Sequence, residues 1–135
     1  MITCDIKLRI RYGETDRMGY AYYGNYPLYY EVGRTELLRK FGLTYKELED
    51  AGILLPVSDL KIEYYSAALY DEEITIRTTV KEKPGVKIKF IYEIFNSKSE
   101  LINLASTTLV FVKKENRKPC KPPEHFLEII ATHFK

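Results

Sequence analysis

"NYPLYYEVGRTELLRKFG", residues 25–42, decides the architecture of this chain. Tyr26, Tyr29, Tyr30, Gly33, Leu37 and Phe41 recur at spacings of three and four, which is one apolar face of an α-helix. Asn25 is the expected N-cap, its side chain accepting from a free backbone N–H. Pro27 fits the first turn, where a missing N–H costs nothing. Gly42 is the expected terminator. Gly33 lies on the apolar face, where glycine costs about 1 kcal/mol against alanine. A close neighbour would offset that cost, so this helix is expected to press directly on a sheet.

The segments around the helix supply the sheet. "DIKLRIRY" (5–12) places Ile6, Leu8, Ile10 and Tyr12 on one side and Lys7, Arg9 and Arg11 on the other, a half-buried strand. After the helix, Thr44 followed by Glu47 predicts a short capped helix over Tyr45 to Asp50. Four extended stretches follow. One carries Leu60, Ile62 and Tyr64 on one side; the next, Ile74, Ile76, Thr78 and Val80; the third, Val86, Ile88, Phe90, Tyr92 and Ile94. The fourth, "LINLASTTLVFVKK", is β-branched without helical period. "EKPG" and "NSKSE" are turn signals, and short links imply antiparallel neighbours. The expected plan is a two-layer α+β domain: one long helix covering one face of a five-stranded antiparallel sheet. Ile91 and Phe95 fall on the opposite face, so a second cover, or edge-to-edge joining of two subunits, is expected. Residues 114–135 begin as a proline-broken link. They then predict a short helix from Pro123 and Glu124, with Phe126, Leu127, Ile130 and Phe134 on one side.

Composition bounds the function. The 135 residues suit one domain, 1–135, and the charge of +2 from 21 basic and 19 acidic residues is too balanced to indicate a nucleic-acid binder. Cys4, placed just before the first strand, and Cys120 form no CxxC pair and no cysteine–histidine cluster. No metal site is expected, and both are read as free thiols of a reducing, cytoplasmic compartment. No apolar run has membrane-spanning length, and charges stand where a signal peptide needs an apolar core.

The chemistry gathers in "RYGETDRMGYAYYGNY" (11–26), between the first strand and the long helix. Asp16 can be an ordinary turn aspartate. It also stands beside a helix start, where free N–H groups and partial positive charge favour an anion. A carboxylate and such an anion site suit ester or thioester hydrolysis. Glu14 is the rival acid, two residues earlier and on the same side if the strand continues. Tyr12, Tyr22 and Tyr23 are candidate orienting hydroxyls. Six tyrosines lie between positions 20 and 30, and most of them suit an amphipathic interface. Lys87 and Lys89 share a strand face that could hold the phosphates of an anionic coenzyme. No Ser-His-Asp set, nucleophile elbow, dinucleotide fingerprint or P-loop is present.

With these residues in view, the stretch from Arg11 to Gly42 resembles the hotdog-fold acyl-CoA thioesterases, in particular the 4-hydroxybenzoyl-CoA thioesterase family and the related Tol-Pal-cluster thioesterases. The shared motif is Arg-x-x-Glu-Thr-Asp, a glycine three beyond, Asn-Tyr, then Glu and Gly-Arg in the helix. "KIEYYSAALYDEEITIRTTV" resembles the same family in its Tyr64 to Asp71 spacing. The resemblance implies a hotdog fold, a long central helix wrapped by a curved five-stranded antiparallel sheet. It also implies homodimers with joined sheets, assembled as a dimer of dimers, and a site at the dimer interface. The implied activity is hydrolysis of an acyl-CoA thioester to a carboxylic acid and free coenzyme A, with no cofactor or metal. Asp16 falls on the family's catalytic aspartate. Tyr23 falls on the position whose backbone N–H polarises the carbonyl, and Tyr12 and Glu31 match further positions near the pocket. Tyr23 stands where Tol-Pal-type members carry histidine, and tyrosine, with a reference pKa near 10, is no neutral-pH base. The backbone N–H is indifferent to that change. A carrier-protein acyl thioesterase and a non-catalytic acyl-binding or assembly module are the alternatives.

Overall fold

The structure is a computed structural model and describes residues 1–134. Strand β1 (Ile2–Arg9) is followed by helix α1 (Tyr26–Lys40), helix α2 (Tyr45–Asp50), strands β2 (Ile53–Leu54), β3 (Val57–Tyr64), β4 (Glu73–Val80), β5 (Lys87–Phe95), β6 (Leu101–Val110) and β7 (Val112–Lys113), and helix α3 (Glu124–Ala131). Five strands form one antiparallel sheet in the order β1-β4-β5-β6-β3, and α1 packs across it, which is the expected hotdog plan. The short β2 and β7 make a separate two-stranded ribbon that the sequence did not announce. Only β4, β5 and β6 neighbour one another in chain order. Between β3 and β4 the chain crosses from the β3 edge, past β6 and β5, to the strand next to β1, through residues 65–72.

Register explains the burial. Ile6 pairs with Ile76, Ile76 with Ile94 and Ile94 with Asn103, so each row puts its side chains on one face. The α1 face collects Ile74, Ile76, Val80, Ile88, Phe90, Tyr92, Ile94 and Leu109, all buried. Against them lie Tyr26, Tyr29, Tyr30, Leu37 and Leu38 from α1. Tyr30 stacks on Tyr92 at 4.7 Å and donates to the Asn103 side-chain carbonyl. Tyr92 shares a 2.5 Å hydrogen bond with Thr107, and Arg34 donates to Tyr45 Oη at 3.1 Å. Burial pushes the Tyr30 and Tyr92 hydroxyls up, so both are neutral phenols. The opposite face is mixed. Ile91 and Leu104 are half-buried there among Lys61, Glu63 and Lys89, and Arg77 grips Asp5 at 2.9 and 3.0 Å.

The ends of α1 are built differently from each other. Gly42 has φ +77, its N–H reaching the Arg39 carbonyl while Leu43 N–H reaches Leu38, a Schellman stop that glycine makes cheaply. At the start, Asn25 does not cap as expected. It has helical backbone angles and ends a 3-10 turn (Tyr23–Asn25) that runs straight into α1. Its amide instead donates to the Glu14 carbonyl at 2.8 Å, tying the helix start to the loop before it. Strand β1 also stops early. Cys4 lies inside it, and Tyr12 leaves it for a second 3-10 turn (Tyr12–Glu14), closed when Arg11 N–H donates to the Glu14 carboxylate at 2.8 Å. Tyr12 is 79% exposed rather than on the core face.

Thr44 accepts from Glu47 N–H at 3.1 Å and starts α2. Thr44→Ala leaves that donor without its cap and is expected to cost about 1 kcal/mol in chemical denaturation. The terminal helix α3 docks, with Phe126 edge-on to Phe111 at 5.2 Å. Both cysteines are free. Among the described residues no helix is long and apolar enough to cross a membrane.

Candidate active site

Residues 15–21 fold into a small hairpin. Thr15 bridges Ala21, and Asp16 N–H donates to the Tyr20 carbonyl at 2.8 Å. The turn Asp16–Gly19 closes with Gly19 N–H on the Asp16 carbonyl at 3.1 Å, and Gly19 takes φ +79. Asp16 Oδ1 accepts from Met18 N–H at 2.9 Å and from Tyr20 N–H at 3.2 Å. The aspartate therefore serves the turn, as its residue type allows. Both bonds go to one oxygen; Oδ2 accepts none among the described residues.

The hairpin is braced from both sides. Ala21 N–H donates to Ala68, Tyr70 N–H to Gly19 and Tyr22 N–H to Glu14, at 2.8, 2.8 and 2.9 Å. The β3–β4 crossover thus braces the Asp16 hairpin next to the start of α1. Tyr64, at the end of β3, donates its hydroxyl to the Tyr23 carbonyl at 2.8 Å and packs edge-on to Tyr23 and Tyr26.

A cavity of about 360 Å³ lies between these pieces, lined by Asp16, Met18, Tyr20, Tyr23, Tyr26 and Tyr64 with residues 65–67. Tyr23 and Gly24 open the 3-10 turn, so their N–H groups have no intrahelical acceptor, and neither bonds elsewhere among the described residues. The Asp16 carboxylate and the helix-start residue Tyr23, its N–H unpaired among the described residues, therefore line one aromatic cavity. Burial pushes the Tyr26 and Tyr64 hydroxyls up, so these walls are neutral phenols and not bases.

The other candidates fall elsewhere. Glu14 is not on the Asp16 side as a continuing strand would place it. The 3-10 turn rotates it inward, where its side chain, 16% exposed, holds Arg11. Its charge, after burial, keeps the Tyr29 hydroxyl protonated. Tyr12 lines a second cavity next to Asp16. Glu31 is exposed on α1 and lines neither cavity of its own chain. Lys87 and Lys89 are exposed on the sheet face away from α1; Lys89 borders a shallow groove of about 180 Å³ with Lys61 and Glu63. The sequence marks Tyr64 as a strand residue and as the start of the Tyr64 to Asp71 spacing, but its grip on the Tyr23 carbonyl has no local signal. Among the described residues no three His, Cys, Asp or Glu side chains gather as a metal site.

Comparison with known proteins follows the same line. Residues 10–130 match the family model of the thioesterase-like superfamily. The putative acyl-CoA thioesterase YneP of Bacillus subtilis is 37% identical over 113 residues, covering 84% of this chain and 82% of the relative. The acyl-CoA thioester hydrolase YbgC of Escherichia coli O6:H1 is 30% identical over 128 residues, 95% of this chain and 92% of the relative. The crystal structure of the DHNA-CoA thioesterase from Staphylococcus aureus superposes with a TM-score of 0.93 at 34% identity, covering 98% of this chain and 91% of that one.

Proposed function

The chain belongs to the thioesterase-like superfamily of hotdog-fold hydrolases, and from that premise we propose that it hydrolyses acyl-CoA thioesters through Asp16. One observation carries the proposal: Asp16, with one carboxylate oxygen unengaged, and Tyr23, whose N–H is unpaired among the described residues, line the same aromatic cavity.

With the acyl group in that cavity, the thioester carbonyl accepts from the Tyr23 N–H. Its oxygen gains negative charge as the carbonyl carbon is attacked, and the helix start offsets that charge. Asp16 acts at the carbon, either attacking it or taking a proton from the attacking water. The C–S bond breaks and coenzyme A leaves as a thiolate. In the water route it takes the proton that Asp16 abstracted. In the attack route it takes a proton from solvent, while water then hydrolyses the acyl–aspartate anhydride, releasing the acid and restoring the carboxylate. Tyr64 positions the site by holding the Tyr23 carbonyl, which fixes the conformation of the residue that carries the donor N–H.

The same proposal includes a homodimer, itself paired into a tetramer, in the cytoplasm. Edge strand β3 supports this: apart from the half-buried Ile62, its residues are exposed, and its outer backbone groups are free to pair with a second copy. Glu31 would enter the site only through such pairing, facing the partner's cavity, and Tyr12 would orient substrate from beside Asp16. The ring-rich cavity favours aromatic acyl groups, as the names of 4-hydroxybenzoyl and DHNA-CoA relatives suggest.

The test is thiol release from a CoA-ester panel, acetyl to palmitoyl plus benzoyl and hydroxybenzoyl. Turnover of at least one ester, fastest for an aromatic one, is the expected result. A panel with no turnover overturns the proposal.

A further inference from the structure

Asp16 borders two cavities, not one. The first is the aromatic cavity already described. The second, about 580 Å³, is lined by Tyr12, Gly13, Thr15, Arg17, Gly19 and Tyr70 together with Asp16. Along the hairpin, Asp16, Met18 and Tyr20 line the first, while Thr15, Arg17 and Gly19 line the second. The two sets share Asp16 alone, so the two cavities meet at that residue.

A thioester is also two-armed. Its scissile bond separates an acyl group from a thiol group, and a carboxylate acting at that bond must have room on both sides. We propose that the second cavity receives the thiol-side arm, with Arg17 meeting the phosphates of coenzyme A. The proposal rests on the thioesterase activity proposed above.

Three features favour this assignment over the reverse. Arg17 is exposed and has no carboxylate within ion-pair distance among the described residues, whereas Arg11 is held by Glu14 and Arg9 by Asp71 and Glu73. Asp71, the acid next to Tyr70, is therefore already engaged. A free cation belongs with the arm that carries phosphate, and the other cavity is walled by neutral rings. Second, Gly13 has no internal reason to be glycine. Its φ is not left-handed, and a Cβ there would meet nothing within 4 Å. Close approach of a ligand supplies a reason that the protein does not. Third, Tyr12 and Tyr70 stand edge-on at 5.7 Å, both more than half exposed, which leaves apolar ring surface for a long flexible arm or a base to cover. Lys87 and Lys89, the phosphate ligands expected from the sequence, are not among the residues that line either cavity.

The experiment compares two substrates with one acyl group, the best from the panel: its CoA ester and its N-acetylcysteamine thioester, which keeps the bond and drops the phosphates. Wild type, Arg17→Lys and Arg17→Glu are run with both. Arg17 is a surface residue with no internal partner, so the variants keep the fold, as circular dichroism will verify. The ratio of kcat/KM values, CoA ester over truncated ester, is expected to fall about 10-fold in Arg17→Glu, chiefly through KM, while Arg17→Lys retains most of it. Free CoA as a product inhibitor should weaken in parallel. A ratio and a CoA inhibition constant unchanged in Arg17→Glu overturn the assignment and leave the thioesterase activity standing. Wild type inactive on both esters removes the activity itself, and the assignment with it.

Discussion

Asp16→Asn is expected to lower kcat/KM for the preferred acyl-CoA by at least about 100-fold, the scale of a lost acid–base group, while thermal stability stays near that of wild type. The substitution is chosen from the geometry. Oδ1 accepts from Met18 and Tyr20 N–H, and an asparagine carbonyl accepts the same two bonds. The turn therefore survives, since asparagine is as acceptable there as aspartate. What disappears is the negative charge and basicity at Oδ2, the oxygen without a partner. Asp16→Ala would remove both and confuse a folding defect with a chemical one. Loss of turnover with an unchanged melting curve places the chemistry at Asp16. Equal rates in both proteins would show that Asp16 is a turn residue only.

A comparison with Tyr23→Phe sharpens this result. If the Tyr23 contribution is its peptide N–H, the phenol is dispensable, and the variant keeps wild-type kcat within about 3-fold (on the order of 0.6 kcal/mol). The ring lies against Tyr22 and Tyr64 and is 65% exposed, so its hydroxyl has no structural duty to lose.

How far the sequence reaches follows from which physical signals are local. Helix α1 was legible because its apolar positions keep one period for four turns and end at Gly42. The Thr44 cap was legible because donor and acceptor lie three residues apart. Strand faces followed from alternation, and the register then aligned them: Ile76 and Ile94 were both assigned inward, and they are partners. What failed was non-local or overridden. Alternation alone carried β1 on to Tyr12, but the Arg11–Glu14 hydrogen bond closes a turn that alternation cannot register. Asn25 was given the duty common to its type, yet a carbonyl eleven residues back, on Glu14, claimed its amide. The crossover of residues 65–72 has no period at all, and it is that segment which brings Ala68 and Tyr70 to the hairpin and so fixes Asp16 beside Tyr23. Sequence thus pointed to Asp16 and Tyr23, the two residues of the proposed site. The contacts that hold them together lie some fifty residues away and are visible only in the fold.

Gly33→Val is expected to destabilise the protein by about 3 kcal/mol, near the top of the range for overpacking, or roughly 10 °C in melting temperature for a domain of this size. A Cβ on Gly33 would lie 2.5 Å from Thr78 Oγ1 and 3.0 Å from Ile76 Cγ2. Both neighbours are fully buried in β4, and β4 is held between β1 and β5, so the sheet has little room to withdraw. Glycine in mid-helix costs propensity, and the close approach of α1 to β4 is what repays it. The two-residue origin of the effect gives a second check. Thr78→Ala removes the nearer obstacle, so in the background of that variant the Gly33→Val penalty should shrink by at least about 1 kcal/mol, a coupling expected only for residues in contact. Thr78 Oγ1 is buried without a hydrogen-bond partner, so the truncation breaks no polar contact and the cycle reports the steric term. Strictly additive melting shifts would show that α1 rides higher on the sheet than 2.5 Å implies. Coupling of the expected size would fix the helix where it must be for its first turn to face Asp16.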